Sequence, residues 1–306
     1  GSISSDKIAI MASRSGDYGT DPGAETTINI SGGEIVGKSN AIYSWNHLPY
    51  ITNLSGNPKI EGPISARTAY TSDLGTTRVA PINVVAEFNP KNTITIDLNR
   101  HQEGDTDNVQ DFVNKDIPIV TFASGLTANA DYFTYINNSL VPGSVKGYVG
   151  NDPQIGGNLD AQSIYVRTVN KFVVTVVENV ATNQTITVEA NGVSKTISES
   201  GKLEFETPNG STFTPTAKFV STTGKYNLVW GTNATTTQVA SGTVINGTTV
   251  TASASDASAT LTLTELFTVV AKASSDAMGT VSPKSTTVLC GGSVTVSATA
   301  NTGYNF

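Results

Sequence analysis

The chain has 306 residues, with 18 Lys plus Arg against 25 Asp plus Glu, a net charge of −7, 14% charged residues and 38% hydrophobic ones. A soluble domain ordinarily carries about a quarter charged residues, so the surface here must be covered by uncharged polar groups, and 44 Thr and 30 Ser supply them. The acidic balance and the lack of any Lys/Arg cluster argue against nucleic acid, whose nonspecific affinity comes from basic side chains neutralising phosphates, and a single cysteine, Cys290, excludes an internal disulfide.

The length predicts about two domains, each able to bury a core without metal or disulfide staples. Gly1-Ser2 reads as a cleavage scar, and the chain stops at Phe306 directly after Asn301-Thr302-Gly303-Tyr304-Asn305, so the expectation is a segment of a longer protein. The longest apolar run near the start, Ile8 to Ala12, is far short of the ~20 residues of a spanning helix, and no membrane insertion is expected.

Along the first half, single short strands end at glycine. Ile30-Ser31-Gly32-Gly33-Glu34-Ile35-Val36-Gly37 is echoed by Leu54-Ser55-Gly56-Asn57-Pro58-Lys59-Ile60-Glu61-Gly62, so that Ser31-Gly32 recurs as Ser55-Gly56 and Gly37 as Gly62. Apolar strands follow near Ile82 to Val85, Thr93 to Leu98 and Ile117 to Phe122. Spacing of this order suits a parallel β-solenoid, in which each rung lends a few short strands to stacked sheets. Residues 1–170 are therefore read as a right-handed β-helix-like solenoid; the alternative is a sandwich whose turns happen to use Ser-Gly. The best helical candidate, Asp105 to Lys115, is broken up by polar residues.

From Lys171 onward the pattern is Thr-rich alternation: Phe172 to Val177, Thr185 to Glu189, Thr260 to Thr264 and Ser293 to Ser297. One face of each such strand is buried and the other wet, which points to an all-β protein with a sandwich-like module over 171–266. Gly210-Ser211-Thr212-Phe213-Thr214 and Gly292-Ser293-Val294-Thr295-Val296 start similar stretches, so 267–306 is read as a second, truncated module.

In that last segment Phe267-Thr268-Val269-Val270-Ala271, Met278-Gly279-Thr280-Val281-Ser282-Pro283, Gly291-Gly292-Ser293-Val294-Thr295-Val296-Ser297-Ala298 and Gly303-Tyr304-Asn305-Phe306 resemble, in order, the divergent internalin-type B-repeat of bacterial cell-surface proteins. Positions 1–170 look more loosely like β-helical regions of large bacterial surface proteins. The specific part of the resemblance is confined to 267–306 and brings no catalytic residue. It implies a secreted, multidomain adhesin-type protein, displayed at the bacterial cell surface, whose modules form a stalk or present a carbohydrate-binding or protein-binding surface. A monomer is expected.

Chemistry is sparse. There is no Gly-x-Ser-x-Gly, no P-loop, no His-Glu-x-x-His and no Cys-x-x-Cys, and the two histidines, His47 and His101, fall on different predicted rungs. Cys290 follows Thr287-Val288-Leu289 and reads as a small buried hydrophobe. Asp105, Asp107 and Asp111 could bring hard oxygens to a structural Ca²⁺, although Val109 and Gln110 break the EF-hand pattern and a solvated turn is the competing reading. No other cofactor is expected. Tyr43 and Trp45 share a strand face, with Tyr50 just beyond, and such rings can stack on a sugar; the competing reading puts them in the core. The rival to an adhesin is a polysaccharide-degrading β-helix enzyme, lyase or hydrolase, for which Arg100, His101, Glu103 and Asp105 form the densest ionisable group.

Overall fold

Thr, Val and Ile at alternate positions give each strand one apolar face, and burial follows that alternation in strand after strand. The computed structural model describes residues 1–12, 26–44, 50–66, 82–98, 112–136, 143–180, 184–221, 224–231, 238–253 and 255–305. The protein is all-β with several sheets, and among the described residues the helical pieces are two short 3₁₀ turns, Ala130–Tyr132 and Pro153–Ile155. The chain divides into two compact units, one of residues 1–170 with 208–211, the other of 171–207 with 212–306.

In the first unit the strands come in chain-ordered sets. They are β1 (Ser2–Ser5), β2 (Ile8–Ala12) and β3 (Thr26–Ile30); β4 (Glu34–Gly37), β5 (Asn40–Ser44) and β6 (Tyr50–Gly56); β7 (Lys59–Glu61), β8 (Ile64–Ser65) and β9 (Ile82–Phe88); then β10 (Ile94–Asp97), β11 (Val120–Phe122) and β12 (Phe133–Ile136). Corresponding members of the first three sets pair in parallel, and the fourth extends two of the sheets in parallel, β10 beside β8, β12 beside β10 and β11 beside β9. One sheet runs β1-β4-β7, a second β2-β5-β8-β10-β12, and a third contains β3-β6-β9-β11. Ile30 faces Leu54 and Ile35 faces Ile60, so the displacement within the sequence repeat is the pairing register itself.

Aligned positions stack like residues. Ile42, Ile64 and Ile96, all fully buried, sit opposite one another and belong to one apolar cluster with Ile35, Ile60, Leu54 and Val84. On the outward side of the third sheet an amide ladder forms. Thr121 Oγ1 donates to Asn83 Oδ1, Asn83 Nδ2 to Asn53 Oδ1 (3.3 Å), and Asn53 Nδ2 to Asn29 Oδ1 (2.8 Å). At the corners the backbones approach closely. A Cβ on Gly62, whose φ is +100°, would stand well under 3.0 Å from the carbonyl oxygen of Gly37 in the preceding set, and one on Gly56 (φ +63°) would meet that of Ser31 in the same way.

Asn92 stands in for a strand. Its Oδ1 accepts from the Ile60 N–H (3.0 Å) and its Nδ2 donates to the Ile60 carbonyl (2.7 Å), the two bonds a neighbouring strand would make. Asn92→Ala removes both and leaves a buried backbone pair to find water, an expected loss of about 1–3 kcal/mol, read as a lowered midpoint in urea with unchanged slope. The outward Lys59 lies 2.7 Å from both Glu34 and Glu61, and its hydrogen bond to Glu34 holds that carboxyl below the usual range.

The unit closes with β13 (Ser144–Val149) and the first part of β14 (Ser163–Asn179), where β14 runs antiparallel to both β11 and β13. Asn114, at φ +59°, accepts on Oδ1 from the Thr168 N–H (2.9 Å) and donates its own N–H to the Val166 carbonyl. Arg167, 6% exposed, reaches Asp116 Oδ1 at 2.6 Å and the Lys115 carbonyl.

The second unit contains the rest of β14, then β15 (Thr185–Ala190), β16 (Val193–Ile197), β17 (Gly201–Pro208), β18 (Thr212–Phe213), β19 (Thr216–Val220), β20 (Lys225–Trp230), β21 (Val244–Asn246), β22 (Val250–Thr251), β23 (Ala257–Val270), β24 (Gly279–Ser282), β25 (Ser285–Leu289) and β26 (Ser297–Ala300). One sheet holds β20, β23, β14 and β17, another β16-β15-β19-β21. Phe172, Val174, Leu261 and Leu263 from the first share one core with Ile186, Val188 and Phe219 from the second. Trp230 packs at the edge of that core, half-buried.

Two local expectations change here. The paired strand begins at Ser297 rather than spanning Ser293 to Ser297, because the partner β24 registers Gly279 to Ala300 and Ser282 to Ser297; alternation alone does not create a strand without a neighbour. Cys290 is half-buried rather than enclosed, since it follows the last residue of β25 at a Gly-Gly turn.

Glu178 on β14 is partly buried beside Gln184, whose Nε2 donates to its Oε2 at 3.3 Å. Burial raises its pKa, the Gln184 hydrogen bond opposes the rise, and the Glu199 charge adds to it. A carboxyl raised in the folded state opposes folding when ionised: the penalty is complete above the folded pKa and gone below the unfolded one. Glu178→Gln is therefore expected to raise the melting temperature at pH 7, on the order of 1 °C for so exposed a group. The gain over the parent should vanish in scans below about pH 4.

Candidate functional site

Of the aromatic residues singled out by the sequence, Tyr43 lies on β5, half-buried, opposite Met11 of β2, while its neighbour Ile42 fills the core. Tyr50 opens β6 and its backbone pairs with Thr26. Trp45 lies outside the described residues, as do Asp105, Asp107 and Asp111 of the calcium expectation, and Arg100, His101 and Glu103 of the enzyme alternative. Among the described residues no three His, Cys, Asp or Glu side chains converge in a way that could hold a metal ion, and no helix is long and apolar enough to cross a membrane.

A concave polar site does form in the first unit, from three short stretches between residues 128 and 154. It is a cleft of about 260 Å³ whose polar lining comes from Asn129, Asp131, Lys146, Tyr148, Asp152 and Gln154. Each wall is fixed by its own local chemistry. Asn129 Oδ1 accepts from the Asp131 N–H (3.0 Å), capping the turn Ala130–Tyr132 that leads into β12. Asp152 Oδ1 accepts from the Gln154 N–H (2.8 Å) and the Asp152 carbonyl accepts from Gly157, so Asp152-Pro153 pins the opposite turn. The loop carrying that turn is anchored by Asp160, which takes the Gln162 N–H (3.0 Å) and the Ser163 hydroxyl (2.7 Å); these bonds, the backbone one first, hold its carboxyl below the usual range.

Strand β13 forms the floor. Gly147 is buried, and a Cβ there would collide with Tyr135 Oη, so a side chain at 147 would have to displace the phenol beneath it. Burial pushes the Tyr135 phenol pKa up, keeping it neutral. Lys146 Nζ sits 5.8 Å from the centre of the Tyr148 ring. The cleft thus has Asp131, Asp152, Lys146, Asn129 and Gln154 in its lining, two carboxylates, one ammonium and two amides, together with Ala128 and Ala130. Such a set can donate to and accept from several hydroxyls at once.

Reasoning from sequence passed over all six polar residues. They span positions 129 to 154 with no motif spacing, and the available signals were two capping patterns, Asn129-Ala130-Asp131 and Asp152-Pro153-Gln154, which read as ordinary turns. Comparison with family models, curated proteins and solved structures finds no match to this chain.

Proposed function

We propose that this chain is a non-catalytic display and adhesion segment of a bacterial cell-surface protein, with residues 1–170 as a parallel β-solenoid and sandwich-like modules following, and that it binds extracellular glycan. The observation that carries the solenoid is the recurrence of three strand positions in chain order, paired in parallel in the register of the sequence repeat, Ile30 on Leu54 and Ile35 on Ile60. Supporting the extracellular placement are the Thr- and Ser-rich surface, the low charge, and the resemblance of 267–306 to the internalin-type B-repeat. Strand modules of this kind would hold weak contacts away from a cell wall, where several copies together bind far more tightly than one.

The test is a glycan array at physiological salt, including uronic-acid polymers, with the parent chain beside Trp45→Ala. A hit weakened by the substitution supports a sugar-binding solenoid with Tyr43, Trp45 and Tyr50 in its surface. Silence across the array removes the glycan part of the reading and leaves a spacer or protein-binding role.

A further inference from the structure

We infer that the cleft between the capped turns at Asn129 and Asp152 is a subsite for one neutral hexopyranose ring of an extracellular glycan. This rests on the adhesion reading above and gives it a second contact, apart from the aromatic residues near Tyr43.

The cleft, about 260 Å³ and open to solvent, has room for a single six-membered ring and is smaller than the roughly 300–1,000 Å³ of sites for larger ligands. Chemistry comes next. Asp131 and Asp152 can accept from hydroxyls, the Gln154 amide both donates and accepts, and Ala128 and Ala130 offer small apolar groups to a ring's C–H surface. Charge then narrows the class. Two carboxylates face one ammonium, and that ammonium already lies against the Tyr148 ring, so a uronate or sialate meets a site of net negative charge in a chain that is itself at −7. Calcium suits the site less, since it wants six to eight oxygens and, of the oxygens on the two carboxylates and two amides, Asn129 Oδ1 and Asp152 Oδ1 are already taken by backbone N–H groups. The geometry is also held in advance: Asn129, Asp152 and Asp160 each spend one side-chain oxygen fixing a backbone N–H, so the walls are set before a ligand arrives.

The experiment is a saturation-transfer and chemical-shift titration of the full 306-residue chain with glucose, galactose, mannose, N-acetylglucosamine and, as the charged comparison, glucuronate. A ring of a dozen heavy atoms should bind with Kd on the order of 1–10 mM. The expected result is saturable binding of at least one neutral hexose, glucuronate roughly tenfold weaker, and a loss of about fivefold or more in each of Asp131→Ala and Gln154→Ala. Asp131→Asn serves as the isosteric check should the alanine variant lose structure, with circular dichroism and melting temperature reporting the fold. Absence of saturable binding by any neutral sugar at ~50 mM overturns the assignment, as does binding that survives the Asp131→Ala/Gln154→Ala double variant. Calcium uptake lost in Asp131→Ala, with no sugar response, overturns it in favour of a cation site. An array hit that Trp45→Ala weakens and the double variant leaves intact sinks the cleft alone; silence in both experiments sinks the glycan reading with it.

Discussion

Gly62→Ala is expected to cost at least about 3 kcal/mol, lowering the melting temperature by roughly 6–12 °C for a unit of this size. Two effects combine. At φ +100° an L side chain is strained, and the new Cβ would stand well under 3.0 Å from the Gly37 carbonyl oxygen, a backbone atom with no rotamer to escape into. Gly125→Ala separates them: its φ is +88° and nothing lies within 4 Å of the new Cβ, so it should show the backbone strain alone, about 1–2 kcal/mol. Chemical denaturation of both variants measures the difference. If Gly62→Ala costs no more than Gly125→Ala, the close stacking of successive corners is wrong.

The second large effect is expected in the other unit. Phe172 is fully buried, its ring centre 6.3 Å from that of Phe205 and 5.4 Å from that of Phe213 in an edge-on contact. Phe172→Ala removes the ring from the middle of a core shared by two sheets and should cost about 3–5 kcal/mol, while Phe172→Leu, closer in volume, should cost less than about 1.5 kcal/mol. Equilibrium unfolding in urea, with midpoint and slope fitted together, distinguishes a cavity from a change in the denatured state. Equal losses for the two variants would place the position outside a tightly packed core.

How much of this could be read from the chain depends on the range of the interaction. The pairing of Ile30 with Leu54 and of Ile35 with Ile60 was legible because a parallel stack repeats the same environment at nearly constant offset, so side chains repeat with it. The all-β character was legible for the same kind of reason, since period-two burial writes itself into Thr185 to Ala190 or Thr260 to Thr264. What depends on distant partners left no such trace. Asn92 looks like a turn residue until Ile60 is beside it, and Asn29, Asn53 and Asn83 look like scattered polar residues until the register aligns their amides. The strand expected at Ser293 to Ser297 slid toward the C-terminus because the position of Gly279–Ser282, and not local alternation, decides which residues pair. The polar cleft joins two capped turns and a strand between residues 128 and 154, and neither the two capping patterns nor the alternation of the strand shows that the three fold onto one another.

The bonds of Asn92 bear finally on self-association. β7 ends its three-stranded sheet, and an end strand with unpaired N–H and C=O groups is a template on which another chain can add a strand. At Ile60 both groups are already taken by one side chain of the same molecule. A strand from elsewhere would have to displace an intramolecular amide before it could dock there, and just before β7 the Pro58 carbonyl is likewise taken, by the Lys91 N–H, so the stretch 91–92 blunts this edge against fibre-like growth without forming a strand itself.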